Sequence, residues 1–182
     1  MFNDATKEFT TLNNWIGWGD PVGGVWFVGV EAGGGWSCDS PEEIEIRRNM
    51  IDSIPDKYSE YKSLNERDED DDGQGVDFPI AVVTAKVAAG LSEKETNWSF
   101  YRDKHLWLKG EGIFNSNILP IGKKNLNEWP EGYKSLFGYT HKEYSEKIND
   151  VLRYRSQQFH ALKALGNPQA MVCFCLLYTS PS

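Results

Sequence analysis

The feature that most restricts this chain is Val25-Trp26-Phe27-Val28-Gly29-Val30, a continuous apolar run of strand length with turn residues on both sides. It does not alternate with polar residues, so a strand formed here has both faces covered, as in a parallel sheet flanked by helices. The run leads directly into Glu31-Ala32-Gly33-Gly34-Gly35-Trp36, a glycine-rich loop. Two later segments read as companions. Residues 112–120 (GIFNSNILP) look like a strand leaving the core into a polar loop, and 170–174 (AMVCF) form a third.

Between these runs lie helix signals. Ser40-Pro41-Glu42-Glu43 supplies a cap, a proline suited to the first helical position and the acid of a capping box, and Pro55 stops the helix it opens. Residues 78–89 read as a helix closed by Gly90. Thr140 and Glu143 form a second capping box. The helix it opens carries Tyr144, Ile148, Val151, Leu152, Phe159, Leu162 and Leu165 near the 3.6 period, up to Gly166. Residues 1–20 are polar with two tryptophans, Leu106-Trp107-Leu108 is a short strand or the approach to one, and 121–139 is loop-rich. The order strand, helices, strand, helix, strand predicts an α/β fold with a doubly wound, mainly parallel sheet and helices on both faces. In such sheets ligands sit at the carboxyl ends of the strands, where the loops at 31–36 and 115–120 fall.

Composition narrows the function. At 182 residues, with 40% hydrophobic and 25% charged, one soluble domain is expected. A net charge of −8 argues against a protein that wraps nucleic acid, though it leaves room for a local basic groove. Much of the charge sits in the run from Glu66 to Asp72, a solvated loop lacking the alternating ligands and closing Glu of a calcium site. No stretch is apolar enough to span a membrane and no secretory signal opens the chain. The cysteines at 38, 173 and 175 make neither a metal-ligand spacing nor a disulfide framework. The expectation is an intracellular, cytoplasmic setting with no metal, no cofactor, no membrane and no evident protein partner. Tryptophan is abundant, at seven residues, and serves either a core or a site that stacks flat ligands.

Residues 175–182 (CLLYTSPS) resemble the translation of a transposase adapter used in shotgun DNA sequencing. The expectation is that 1–174 is a single incomplete domain, C-terminally truncated, and that 175–182 is a non-native tail.

Two motifs at strand ends carry a resemblance. Gly29-Val30-Glu31-Ala32-Gly33 follows the first buried strand, and Asn117-Ile118-Leu119-Pro120 ends a later one. Together they resemble the uracil-DNA glycosylase superfamily over roughly residues 20–174. Its first motif reads Gly, any residue, then Asp, Asn or Ala, usually followed by Pro, and its second is a base-reading Asn written Asn-x-x-Pro in two branches. Glu31 and Ala32 depart from that pattern, and the family's final His motif matches no residue of this chain. His105, His141 and His160 lie outside the motif positions and are expected on the surface. The four cysteines of the iron–sulfur branch are missing.

The resemblance implies a glycosylase that flips a damaged base out of DNA. Glu31 would be catalytic, favouring the oxocarbenium-like sugar and positioning water. Asn117 would read the base edge and Trp36 or Phe114 would stack on it. Gly29, Ala32, Gly33 and Pro120 would shape the loops, and Lys123 and Lys124 would touch DNA phosphates. Two other classes stay open. Glu31-Ala32-Gly33-Gly34-Gly35 also fits the acid-x-Gly-x-Gly loop of nucleoside-cofactor methyltransferases, although the next strand lacks the ribose-binding acid. A catalytically inactive nucleic-acid or nucleotide-binding domain of the same fold is the third.

Overall fold

The computed structural model describes residues 4–31, 38–54, 58–59, 79–91, 97–108, 110–123 and 128–174. The acidic run at 66–72 and the tail from 175 lie outside the described residues. The elements are α1 (Lys7–Asn14), β1 (Gly17–Gly19), β2 (Val25–Glu31), α2 (Pro41–Asp52), β3 (Tyr58–Ser59), α3 (Pro79–Leu91), α4 (Trp98–Lys104), β4 (Ile113–Leu119), α5 (Gly132–Phe137), α6 (His141–Gly166) and β5 (Ala170–Phe174).

The strands form one sheet in the order β3-β1-β4-β2-β5. β2 runs parallel to both β4 and β5, and β1 is parallel to β3 but antiparallel to β4. The architecture is therefore mixed α/β with a mostly parallel open sheet. β2 sits inside it because its apolar run has two covered faces. Phe27 packs with α3 and α4 through Ala81, Ala85, Ala88 and Tyr101. Trp26 and Val28 turn the other way, to Leu162 and Phe159 of α6. A third cluster gathers the segments that follow β2 and β4 onto α1, α2, α5 and the first half of α6, with Phe9, Cys38, Ile121, Leu136 and Val151 at its centre.

Both predicted capping boxes form. The Ser40 hydroxyl accepts from the Glu43 N–H at 3.2 Å while Glu43 accepts from the Ser40 N–H at 3.1 Å, and Thr140 and Glu143 repeat the arrangement. α3 extends past the expected glycine stop, so Gly90 lies within its last turn. Elsewhere the sequence reading falls short. Residues 1–20 hold α1, capped by Thr6, and β1. The loop-rich 121–139 contains α5. Leu106–Leu108 is a turn and not a strand, with Trp107 in the left-handed region at φ 61°. Such short elements are stabilised by what they pack against and carry too few residues to show a period.

Candidate functional site

β2 precedes β4 and β5 in the chain yet lies between them in the sheet, so the chain steps from β2 to β4 in one direction and then crosses back over β2 through α6 to reach β5. That is a topological switch point, whose carboxyl side forms the ligand crevice of open α/β sheets. At that side Gly29 pairs with Asn117 of β4 on one flank and Phe174 of β5 on the other. Side chains alternate along a strand, so all three positions belong to the face packed by α3 and α4. Neighbouring strands stand about 4.8 Å apart, so positions 117 and 174 lie about 10 Å apart across a residue with no side chain, and the Phe174 ring stacks on Phe27 at 5.8 Å. Glu31 pairs with Leu119 and so follows Gly29 and Asn117 at the next same-parity step toward the rim.

Asn117 is half-buried, and its side-chain amide makes no hydrogen bond with the described residues. Its backbone is held firmly. Arg155 of α6, only 2% exposed, donates from Nη2 to the Asn117 carbonyl and from Nε to that of Ile118 at 3.2 Å. Nη1 donates to the carbonyls of Trp15 at 2.6 Å and Asn13 at 3.3 Å. No carboxylate pairs with this guanidinium among the described residues, and burial pulls its pKa down to about 10. The cation still carries its charge at neutral pH, solvated by four peptide dipoles, and it ties the end of β4 to the last turn and C-cap of α1.

Asn115 lies two residues earlier on the same face, between Trp18 of β1 and Phe27 of β2, and is 7% exposed. Ser116, on the opposite face, is buried and donates its hydroxyl to the Ile16 carbonyl.

Of the residues singled out from sequence, the strand ends bring together Gly29, Glu31 and Asn117, with half-buried Pro120 just beyond β4. Phe114 requires correction. It is fully buried on the opposite face of β4, edge-on to Trp26 at 5.4 Å, and cannot stack on a ligand beside Asn117. Lys123 is 7% exposed, not a surface lysine facing phosphate. Ala32, Gly33, Trp36 and Lys124 lie outside the described residues. His160 is exposed, whereas His105, paired with Glu111 at 3.1 Å, and His141, stacked on Trp129, are half-buried; none of them lies on the three strand ends. Sequence reading missed Asn115, Phe174 and Arg155 as site residues. The first shares parity with Asn117, and Arg155 stands in the apolar stripe four residues after Val151 and four before Phe159, so both left a trace.

A hollow of about 460 Å³ lies between α1 and α6. Its polar walls largely satisfy one another, Tyr154 donating to Asn14 Oδ1 at 2.6 Å and Arg153 pairing with Asp150. Among the described residues no group of three or more His, Cys, Asp or Glu could hold a metal ion, and no helix is long and apolar enough to cross a membrane. A scan against protein-family models finds no match to this chain, and searches of curated proteins and of solved structures find none either.

Proposed function

We propose that this chain is a DNA N-glycosylase, hydrolysing the bond between deoxyribose and uracil or a related damaged base. The observation that carries the reading is the Asn117 amide, without a hydrogen bond among the described residues, at the carboxyl end of β4, beside side-chain-free Gly29 and with Glu31 one step nearer the rim. A flat heterocycle over Gly29 would offer its polar edge to the Asn117 donor and acceptor. Phe174, on the far strand, takes the stacking role first given to Phe114. The Glu31 carboxylate is charge of the right sign to favour an oxocarbenium-like sugar and to orient water against it. The bond from anomeric carbon to base nitrogen breaks, its electron pair leaves with the base, and water adds to the sugar.

The test is direct. The protein is incubated with single- and double-stranded oligonucleotides bearing one uracil, and abasic sites are revealed by alkaline cleavage. Strand scission at the uracil is expected. Glu31→Gln should slow single-turnover excision by about a hundredfold or more, in the range typical of a positioned acid or base. Asn117→Ala should weaken excision similarly while leaving the melting temperature within a few degrees. Base or DNA binding without scission would retire the enzyme and leave a binding domain of the same architecture. Binding of a nucleoside methyl donor would favour the methyltransferase class instead.

A further inference from the structure

We propose that the hollow between α1 and α6 is a binding site for a neutral sugar. Helices that touch ordinarily close on each other with apolar stripes. Here α6 turns Asp150, Arg153, Tyr154 and Gln157 toward α1, a spacing of three and four that marks one helix face. They meet Asn13 and Asn14 in the last turn of α1. The apolar residues Val151 and Leu162 of α6 are buried in other clusters and leave this seam unfilled. The space of about 460 Å³ lies in the range of small-molecule sites, whose walls are mostly apolar. These walls are polar, so the occupant is polar as well.

Hydrogen bonding says which polar groups the occupant must bring. Tyr154 and Asn14 already satisfy each other at 2.6 Å. Asn13 is 2% exposed, and its Oδ1 has no hydrogen-bond partner. Beside it Gln158 donates Nε2 to the Asn14 carbonyl at 3.3 Å, and its own Oε1 is buried without a partner. Two amide oxygens at this seam therefore call for donors. The last torsion of an asparagine is soft, so the Asn13 oxygen can swing into the hollow to meet one. Charge narrows the class further. Arg153 and Asp150 pair at the exposed rim and cancel, and a chain of net charge −8 does not draw anions. A cation would find one carboxylate, already paired. A ligand with many donors and no charge is a polyhydroxylated ring. Its hydroxyls would donate to Asn13 and accept from Gln157 and Arg153, and its apolar ring face would lie on the partly exposed ring of Tyr154.

The full chain is titrated with D-glucose, D-galactose, N-acetyl-D-glucosamine and maltose, following the side-chain amide signals of Asn13, Asn14 and Gln157 by NMR. Sulfate and N-acetylglycinamide serve as charged and amide controls. Saturable shifts confined to α1 and α6 are expected with at least one sugar and with neither control. Asn13→Leu, close in volume, should melt at or above the wild-type temperature without ligand, yet bind that sugar about tenfold more weakly. Arg153→Ala alters only the exposed rim, leaves the fold in place and should weaken binding several-fold. No saturable shift with any sugar, shifts that map elsewhere, or a stronger response to sulfate or to the amide overturns the assignment. Unchanged affinity in both variants, or a lower ligand-free melting temperature in Asn13→Leu, overturns it too. Uracil excision is read separately and stands or falls on the strand ends alone.

Discussion

Arg155 does most to hold the strand end that bears Asn117. A guanidinium buried without a carboxylate is tolerable only because four carbonyls surround it, and removing it would orphan all four at once. Arg155→Met should therefore lower stability by about 3–5 kcal/mol in urea unfolding, the range for one partner taken out of a buried charged network. Lysine keeps the charge but has no planar fork, so it cannot reach the same set of acceptors. Arg155→Lys should fold and still displace β4, read as a chemical-shift change in the Asn117 side-chain amide. An unmoved Asn117 signal would reduce Arg155 to a stabiliser without positioning influence. At this scale the sequence spoke unevenly. A separation of three already places 114 and 117 on opposite faces of any strand, so the stacking role given to Phe114 conflicted with strand geometry from the start. Phe174, by contrast, becomes a neighbour only through the β2–β5 register, which no local pattern encodes.

Helices show how much local chemistry sets. α2 and α6 start where their capping boxes say, because Ser40 and Thr140 satisfy free N–H groups that no other arrangement satisfies locally. In α6 the backbone and hydroxyl bonds from Thr140 hold the Glu143 carboxyl below its usual 4.5. An acid whose folded pKa is lowered contributes stability above its unfolded value, and that contribution disappears as the pH falls through the folded one. Glu143→Gln, which keeps the shape and loses the charge, should thus melt below wild type at neutral pH. The difference should shrink below pH 4.5 and vanish under the folded pKa, measured by thermal melts across acid pH. A constant difference would show that the charge is not the cause. Close approach of elements is equally testable. A Cβ at Gly132 of α5 would lie 2.0 Å from the Cys38 carbonyl oxygen, so Gly132→Ala should cost about 1–3 kcal/mol. At Gly90 of α3 an added methyl meets nothing within 4 Å, and Gly90→Ala should gain about 0.5–1 kcal/mol in the same denaturation assay. α1, α5 and β1 escaped sequence reading because eight, six and three residues leave no period to see.

For the molecule as a whole, three buried runs and their spacing were enough to expect a mostly parallel sheet covered on both sides. They could not reveal that β1 would join antiparallel to β4, since a three-residue strand is defined only by its partner. The long reach of Arg155 has one further consequence, for how the protein is made. Its contacts with the Asn13 and Trp15 carbonyls span 142 and 140 residues, so a nascent chain exposes its opening segment long before the cation that secures it is synthesised. Loop closure over such distances is slow. The rim carrying Asn117 takes its final form only after α6 has been made and its cation has reached back to the carbonyls of Asn13 and Trp15.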